Sequence, residues 1–529
     1  MLTLMPTFAS GADHPETDPV IELATMFKEN KVPFSMLFTN QMPDLRRLLY
    51  QAGLETFSWT NVYDDIQDIH MKSGVPFTIE DLVLPKDTIP YFLGSDVFYF
   101  QGSKKVMQAH FHKEGFVYWV EHGLPSGEVV KEQYDDRGFV TTKTVTQADG
   151  QWKTFWLNDN GYVVLTQTSQ KIMVADSQRS RFAAASYQSM QEIVYEFLMK
   201  QSMQLQQSPP IVTDLGTDTL ELRSEQPFLK QIIFLVNQKH ELTAKDLIQI
   251  NDGDAFVFPT SADERLFVRQ AEAKGNKEKA DQVAKYVIPQ YATTLNLGLS
   301  NETALDSIYW RLGNIRDNEA RRLLIQLIKV LQHEDDQALI VEGSEGQVKT
   351  MSDHLQAFIK STFDVDLTSE QYQEVAQFVA DQRSGKPIAG LDKRGKKLRE
   401  LPNWQALSAA EFVASRIHLQ VAKRHVQETL MHQARVYVDT ATIPDLRMMI
   451  EAISNGVPLV VRQSSTLIRE HQNGIVVADL AAIPEACRFF LKTLSNWNQS
   501  LVVNAELIEK FSADHLIKKW QEVIAFGES

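Results

Sequence analysis

Five glycines, Gly115, Gly127, Gly138, Gly150 and Gly161, recur at intervals of 12, 11, 12 and 11 residues. Each closes a polar cluster ("HKEG", "LPSG", "DDRG", "QADG", "NDNG") and precedes a run of β-formers such as "FVYWV" or "FVTTKTV". Asp and Asn open tight turns by bonding their own backbone, and glycine supplies the positive φ such turns need. Turns at this spacing between alternating strands specify an antiparallel meander. The spacing therefore predicts an inserted β-sheet domain over residues 75–170.

The flanks read differently. "MLTLMP" and "PFSMLFT" are short apolar strands, while "DPVIELATMFKEN" and "MPDLRRLLYQAGL" carry apolar residues at helical spacing. That order argues for a parallel sheet covered by helices. It resumes after the meander with the helix "SMQEIVYEFLMKQS" and the strands "QIIFLVN" and "DAFVFPT". A charged helix or linker, "AEAKGNKEKADQVAK", precedes a second α/β unit. This unit is expected to open with the strand "YATTLNLG" and to continue through "ALIVEG", "ARVYVDT", "VPLVV" and "GIVV". The expected domains are residues 1–74 with 171–286, the insertion 75–170, and residues 287–529.

A chain of 529 residues is long enough for two or three domains and can bury large cores without disulfides. Its single cysteine, Cys487, excludes an internal disulfide and fits a reducing compartment. In the apolar stretch "IPEACRFFLK" it reads as a buried structural thiol. The net charge of −15 disfavours nucleic acid, so any contact with anionic partners needs a local patch. No apolar run reaches about 18 residues, and the first residues lack a secretory pattern. The expectation is a cytoplasmic protein.

Local motifs for chemistry are weak. "GSEGQVKT", Gly343 to Thr350, has Val348 where a phosphate loop needs its second glycine, and reads as a surface turn. His110 and His112 share a strand face without further metal ligands nearby. His418, His425 and His432 recur at seven-residue spacing in an expected helix. Seven residues rise about 10 Å, too far for joint coordination. Asp135 and Asp136 sit in a hairpin turn, where Asp is expected for backbone reasons. The segment Gln382 to Glu400 concentrates Arg383, Lys386, Lys393, Arg394, Lys396, Lys397 and Arg399. Its Gly and Pro content predicts an exposed loop, either simply solvated or in contact with anionic lipid or an acidic partner.

One stretch does look enzymatic. "EAISNGVPLVV" places Glu451 on a helix, Asn455 and Gly456 in a turn, and an apolar strand after them. With two α/β units and an inserted meander, the chain resembles glycosyltransferases of the GT-B architecture, with two Rossmann-like domains. A closer match runs through "WTNVYDDIQDIHMKSGVPFTIEDLVLP", "EQYDDRGFVTT", "WLNDNGYVV", "TTLNLGLSN", "EAISNGVPLV" and "TLSNWNQSLV". Over nearly its whole length the sequence resembles the first-member family of the accessory Sec system Asp proteins. The resemblance implies a non-enzymatic role in exporting serine-rich-repeat adhesins. It implies action in the cytoplasm and at the inner face of the membrane. The implied partners are the second and third Asp proteins, the accessory SecA ATPase and the adhesin itself; anionic lipid is the contact expected of the basic segment alone. No cofactor is implied.

Retaining transferases of this architecture place an Arg and a Lys, five residues apart, after the first strand of the second domain. These cations neutralise the nucleotide diphosphate. If Gly298 ends that strand, Leu299 and Ala304 occupy the two positions. The donor helix of such enzymes carries two glutamates eight positions apart. Glu451 matches the second, the ribose ligand, and Ile443 stands where the first belongs. The residues thus read as a vestigial donor site without catalytic or metal-binding groups. The alternatives are an active transferase with an unfamiliar donor site, or a glycan-binding module.

Overall fold

The computed structural model describes residues 2–8, 10, 18–124, 126–204, 210–225, 231–236, 253–298, 303–383 and 390–526. Among these, strands form three sheets. A seven-stranded parallel sheet runs in the order 284–287, 255–258, 232–235, 211–214, 2–5, 34–38 and 59–61. A six-stranded parallel sheet runs in the order 417–421, 337–343, 306–311, 434–439, 459–461 and 474–476. Inserted in sequence between Trp59–Asn61 and Ile211–Asp214 of the seven-stranded sheet lies a ten-stranded antiparallel sheet of consecutive neighbours, from Ile89–Leu93 to Ser186–Tyr187. The turn glycines do what their spacing requires: all five have φ between 79° and 92°.

Two compact units emerge, residues 1–259 with 263–290 and 517–529, and residues 260–262 with 291–516. Two differences from the expected bounds have a visible physical cause. The meander continues past residue 170, because Ile172–Val174 and Ser186–Tyr187 add further antiparallel strands. The end of the chain belongs with the first unit, because Trp520 packs edge-on against Phe27 at 5.8 Å. In the second unit, Cys487 is 1% exposed, and burial pushes its thiol up to about 12.

The meander is bound into the first unit through the turn Asp135–Gly138. Arg137 is buried, and its guanidinium forks onto Asp64 at 2.8 and 2.8 Å and onto Asp135 at 2.7 and 2.8 Å. Its Nη1 also donates to the Met71 carbonyl at 3.1 Å. Asp136 accepts from the Arg47 amide at 2.9 Å, and its own N–H donates to the Pro43 carbonyl at 2.7 Å. Burial, aided by Asp135, pushes the Asp136 carboxyl up to about 7. The two aspartates thus serve architecture. Gly74 is required beside them, since a Cβ there would lie 1.8 Å from the Arg137 carbonyl oxygen.

Removing one partner of a buried, bidentate ion pair leaves uncompensated charge and costs about 3–5 kcal/mol. Arg137→Met is expected to lose stability on that scale in urea denaturation, with Asp64 and Asp135 left unpaired. A loss within about 0.5 kcal/mol, typical of surface positions, would contradict this role.

Candidate functional site

In open α/β sheets, ligands bind outside the carboxyl ends of the strands where the strand order reverses. In the six-stranded sheet that point lies between Asp306–Arg311 and Ala434–Asp439. This differs from the expected register. Tyr291–Gly298 is not a strand; Thr293 makes one isolated bridge, to Ser512. The segment is tied to helix ends instead, with Thr293 Oγ1 donating to Ile508 O at 2.7 Å and Thr294 N–H to Ser454 Oγ at 3.0 Å. Ala304 is exposed and precedes the true first strand, and Leu299 lies outside the described residues. The strand ends on Arg311, with Arg316 five residues further on. Cations therefore do stand at the spacing that a transferase uses.

Those cations are engaged by the chain itself. Arg311 Nη1 lies 3.3 Å from Asp439, Nη2 lies 3.0 Å from Asp445, and Nε lies 3.9 Å from Glu342. Asp439 and Glu342 are each 1% exposed. Burial pushes the Asp439 carboxyl above the usual range, against the opposing pull of Arg311. Asp439 also accepts from the Tyr437 hydroxyl at 3.2 Å and from the amides of Ala441 and Asp445 at 2.9 Å each. Glu342 accepts from the Tyr309 hydroxyl and from Gln427 Nε2, the latter at 2.9 Å. Arg316 is exposed and forks onto Glu319 at 2.6 and 3.0 Å. A diphosphate brought to Arg311 would meet three carboxylates around one guanidinium, which is repulsive at low dielectric.

The neighbouring loops are also occupied. Gly343 ends a strand, and Ser344 caps the following helix in a reciprocal box with Gln347, replacing the expected surface turn. Gln347 Nε2 then donates to the Gly313 carbonyl at 2.8 Å. Gly313 has φ 56°, and a Cβ on it would sit 2.5 Å from the Ala441 Cβ. The Gly313 backbone therefore packs directly against Ala441.

The helix Leu446–Ser454 is capped by Asp445, which accepts from the Met448 amide at 3.2 Å. Ile443 lies in the loop before it, 47% exposed and eight positions ahead of Glu451. Glu451 accepts from Asn455 Nδ2 at 3.0 Å, and burial raises its pKa. Gly456 has φ 76°, and a Cβ there would lie 2.5 Å from Leu501 and 2.9 Å from Leu297. The Ser454–Gly456 turn thus holds the segment 291–298 against its own unit.

The described parts of the basic segment are helical, where a loop is expected. Arg383 ends one helix, Glu370–Arg383, and bonds Glu411 and Ser415; Lys386 lies outside the described residues. Leu391–Arg399 is a second helix because Leu398 and Gly395 pack inward, Gly395 directly against the Phe378 ring. Arg394 pairs with Asp381 at 3.0 Å. Lys393, Lys396, Lys397 and Arg399 are left exposed. Among the described residues, no histidines converge on a metal site. His110 bonds Asp96 and stacks on Trp119, and His112 packs between Phe116 and Tyr118. His418 lies on a strand, outside the helix that contains His425 and His432.

Two parallel sheets with an inserted antiparallel one define the GT-B glycosyltransferase-like fold. Residues 8–525 match the family model of the accessory Sec system protein Asp-one, the first member of the Asp series. The chain belongs to that family, and so to the accessory Sec system. The Asp-one protein of Staphylococcus aureus (strain NCTC 8325 / PS 47) is 20% identical, with 96% of this chain and 93% of that protein covered. A chain in the crystal structure of accessory secretory proteins 1, 2 and 3 of Streptococcus pneumoniae superposes with a TM-score of 0.73 at 16% identity, covering 100% and 99% of the two chains. The pneumococcal O-GlcNAc transferase GtfA, solved with UDP and GlcNAc, superposes with a TM-score of 0.67 at 14% identity, covering 100% and 99%.

Arg311→Met would strand Asp439, Asp445 and Glu342 together. A loss of about 3–5 kcal/mol is expected in urea denaturation. Adding Asp439→Asn should recover part of it, because the two sites couple directly. Strictly additive losses would contradict the cluster.

Proposed function

We propose that this protein is a non-catalytic adaptor and chaperone, which delivers glycosylated serine-rich-repeat adhesins to the accessory SecA motor at the inner face of the membrane. The observation that carries this reading is the capture of Arg311 by Asp439 and Asp445, at the place where a transferase holds its diphosphate. Ile443, in place of the first donor glutamate, supports it. The Arg311 and Arg316 spacing is what favours the rival reading, an active transferase. Both cations are already paired, so the adaptor reading is preferred.

Partner surfaces follow from exposure. The edge strand Ile89–Leu93 is exposed along its whole length, with Ile89 at 71%, Tyr91 at 61%, Phe92 at 63% and Leu93 at 62%. Exposed apolar patches of this kind mark protein contacts. Pro90 lacks an N–H, which discourages uncontrolled strand addition at this edge. We assign this strand to the other Asp proteins; that such partners exist is supported by the pneumococcal structure of accessory secretory proteins 1, 2 and 3, and the choice of this strand rests on its exposure. The outward face of Leu391–Arg399 is assigned to anionic lipid, where each cation contributes about 1 kcal/mol. Among the described residues, no helix is long and apolar enough to cross a membrane.

Affinity capture of the tagged chain from native cytosol tests the reading. The second and third Asp proteins and the accessory SecA motor are expected in the eluate. Tyr91→Asp with Phe92→Asp is expected to cut recovery of the Asp partners about tenfold or more, as loss of buried aromatic anchors does. A clean monomer from cells that express all the partners would contradict the proposal.

A further inference from the structure

The outermost strand of the meander, Ile89–Leu93, pairs with Asp96–Gln101 in the register Ile89 to Phe100, Tyr91 to Phe98 and Leu93 to Asp96. Residues paired across a ladder point to the same face of a sheet. Ile89, Tyr91, Leu93, Phe98 and Phe100 therefore share one face, and Phe92, opposite Val97, lies on the other. The Phe92 side is covered by the chain itself, because Phe77 and Leu82 pack against the buried cluster of Val97, Tyr99 and Met107. On the Tyr91 side, Ile89, Tyr91 and Leu93 stay exposed.

Deeper in the sheet the same face is polar. Across the ladders from Phe98 stand Gln108, Glu121 and Lys131 in turn. A solvated face of an antiparallel sheet carries polar residues, so an apolar stretch on the two outer strands marks a contact surface. The outer edge of Ile89–Leu93 is a poor template for a further strand. Leu93 and Asp96 close the two-residue turn Gly94–Ser95, which aims the main-chain groups of Pro90 and Phe92 outward. Pro90 has no N–H, so Phe92 is left as the one outward donor of the strand.

Charge gathers at one end of the face. Lys104 and Lys105 pair with Gln101 and Phe100, and the Lys86 carbonyl accepts from Gln101 Nε2 at 3.1 Å. Lys105 lies 3.9 Å from Glu121, whereas Lys86 and Lys104 are exposed and make no ion pair among the described residues. Asp87, the residue after Lys86, is the carboxylate set against them.

We propose that an amphipathic helix of another Asp protein lies along this face, its apolar stripe on Tyr91 and Phe98 and its carboxylates toward Lys86 and Lys104. Ile89 to Leu93 rises about 13 Å, and two helical turns rise about 11 Å. Helix positions i, i+3, i+4 and i+7 thus meet Ile89, Tyr91 and Leu93 together. The lysines at one end favour an acidic occupant and fix its direction. This docking mode rests on the proposed partnership with the other Asp proteins, and specifies the face, the element and its charge.

Surface plasmon resonance with the full chain and the purified second and third Asp proteins tests it. Ile89→Ser with Tyr91→Ser is expected to weaken binding about tenfold or more. Phe92→Ser is expected to leave it within about twofold. Lys86→Glu with Lys104→Glu is expected to weaken binding and flatten its salt dependence. Amide exchange of the wild-type complex should slow in a helical stretch of the partner and stay unchanged at Phe92. If the Ile89 and Tyr91 variant loses its near-UV circular dichroism, that exchange measurement decides instead. Absence of binding by the wild-type chain would overturn the partnership itself. Binding that survives Ile89→Ser with Tyr91→Ser, an equal loss with Phe92→Ser, or slowed exchange at Phe92 would overturn the docking mode alone. Dimerisation of this chain through the same residues would give the face to a second copy, and would equally overturn it.

Discussion

A single guanidinium, shared among three carboxylates, closes the carboxyl edge of the six-stranded sheet. Arg311 leaves the end of one strand and reaches Asp439 at the end of its neighbour. Glu342, on the strand at its other side, and Asp445, the cap of the next helix, complete the ring. Buried carboxylates carry a desolvation penalty that falls when a cation is centred among them. The arrangement joins three strands and a helix start around one cation.

Arg137 plays the corresponding part in the first unit. It bonds Asp64, which follows the last strand of the parallel sheet, and Asp135, which opens a turn of the meander. Gln67 reinforces the join by donating to the carbonyls of Thr141 and Leu157 at 2.9 and 2.7 Å. The insertion is thus fastened by buried polar contacts as well as by its apolar faces. Such networks rigidify a join only when every member is satisfied.

The meander was legible from sequence because its turns demand glycine at positive φ, a constraint that no tertiary contact relaxes. The donor-like stretch was legible in form, with Gly456 in the expected turn. The site chemistry was read one element too early. "YATTLNLG" has the β-branched residues of a strand, yet its backbone pairs with helix ends, and the first strand of the unit is Asp306–Arg311 instead. The helix Leu391–Arg399 was hidden for a related reason. Gly395 argues against a helix until Phe378 is packed where a Cβ would project. Carboxylate capture of Arg311 was invisible, since Glu342, Asp439 and Asp445 converge only through the sheet.

The central claim is that the chain's own carboxylates have taken the place of a nucleotide diphosphate. Titration calorimetry with UDP-GlcNAc, on the wild-type chain and on the double variant Asp439→Asn with Asp445→Asn, addresses it most directly. The account predicts no saturable heat for the wild-type chain. Weak binding that appears only after both carboxylates are neutralised would strengthen it. Saturable micromolar binding by the wild-type chain, reversed by Glu451→Gln, would contradict it.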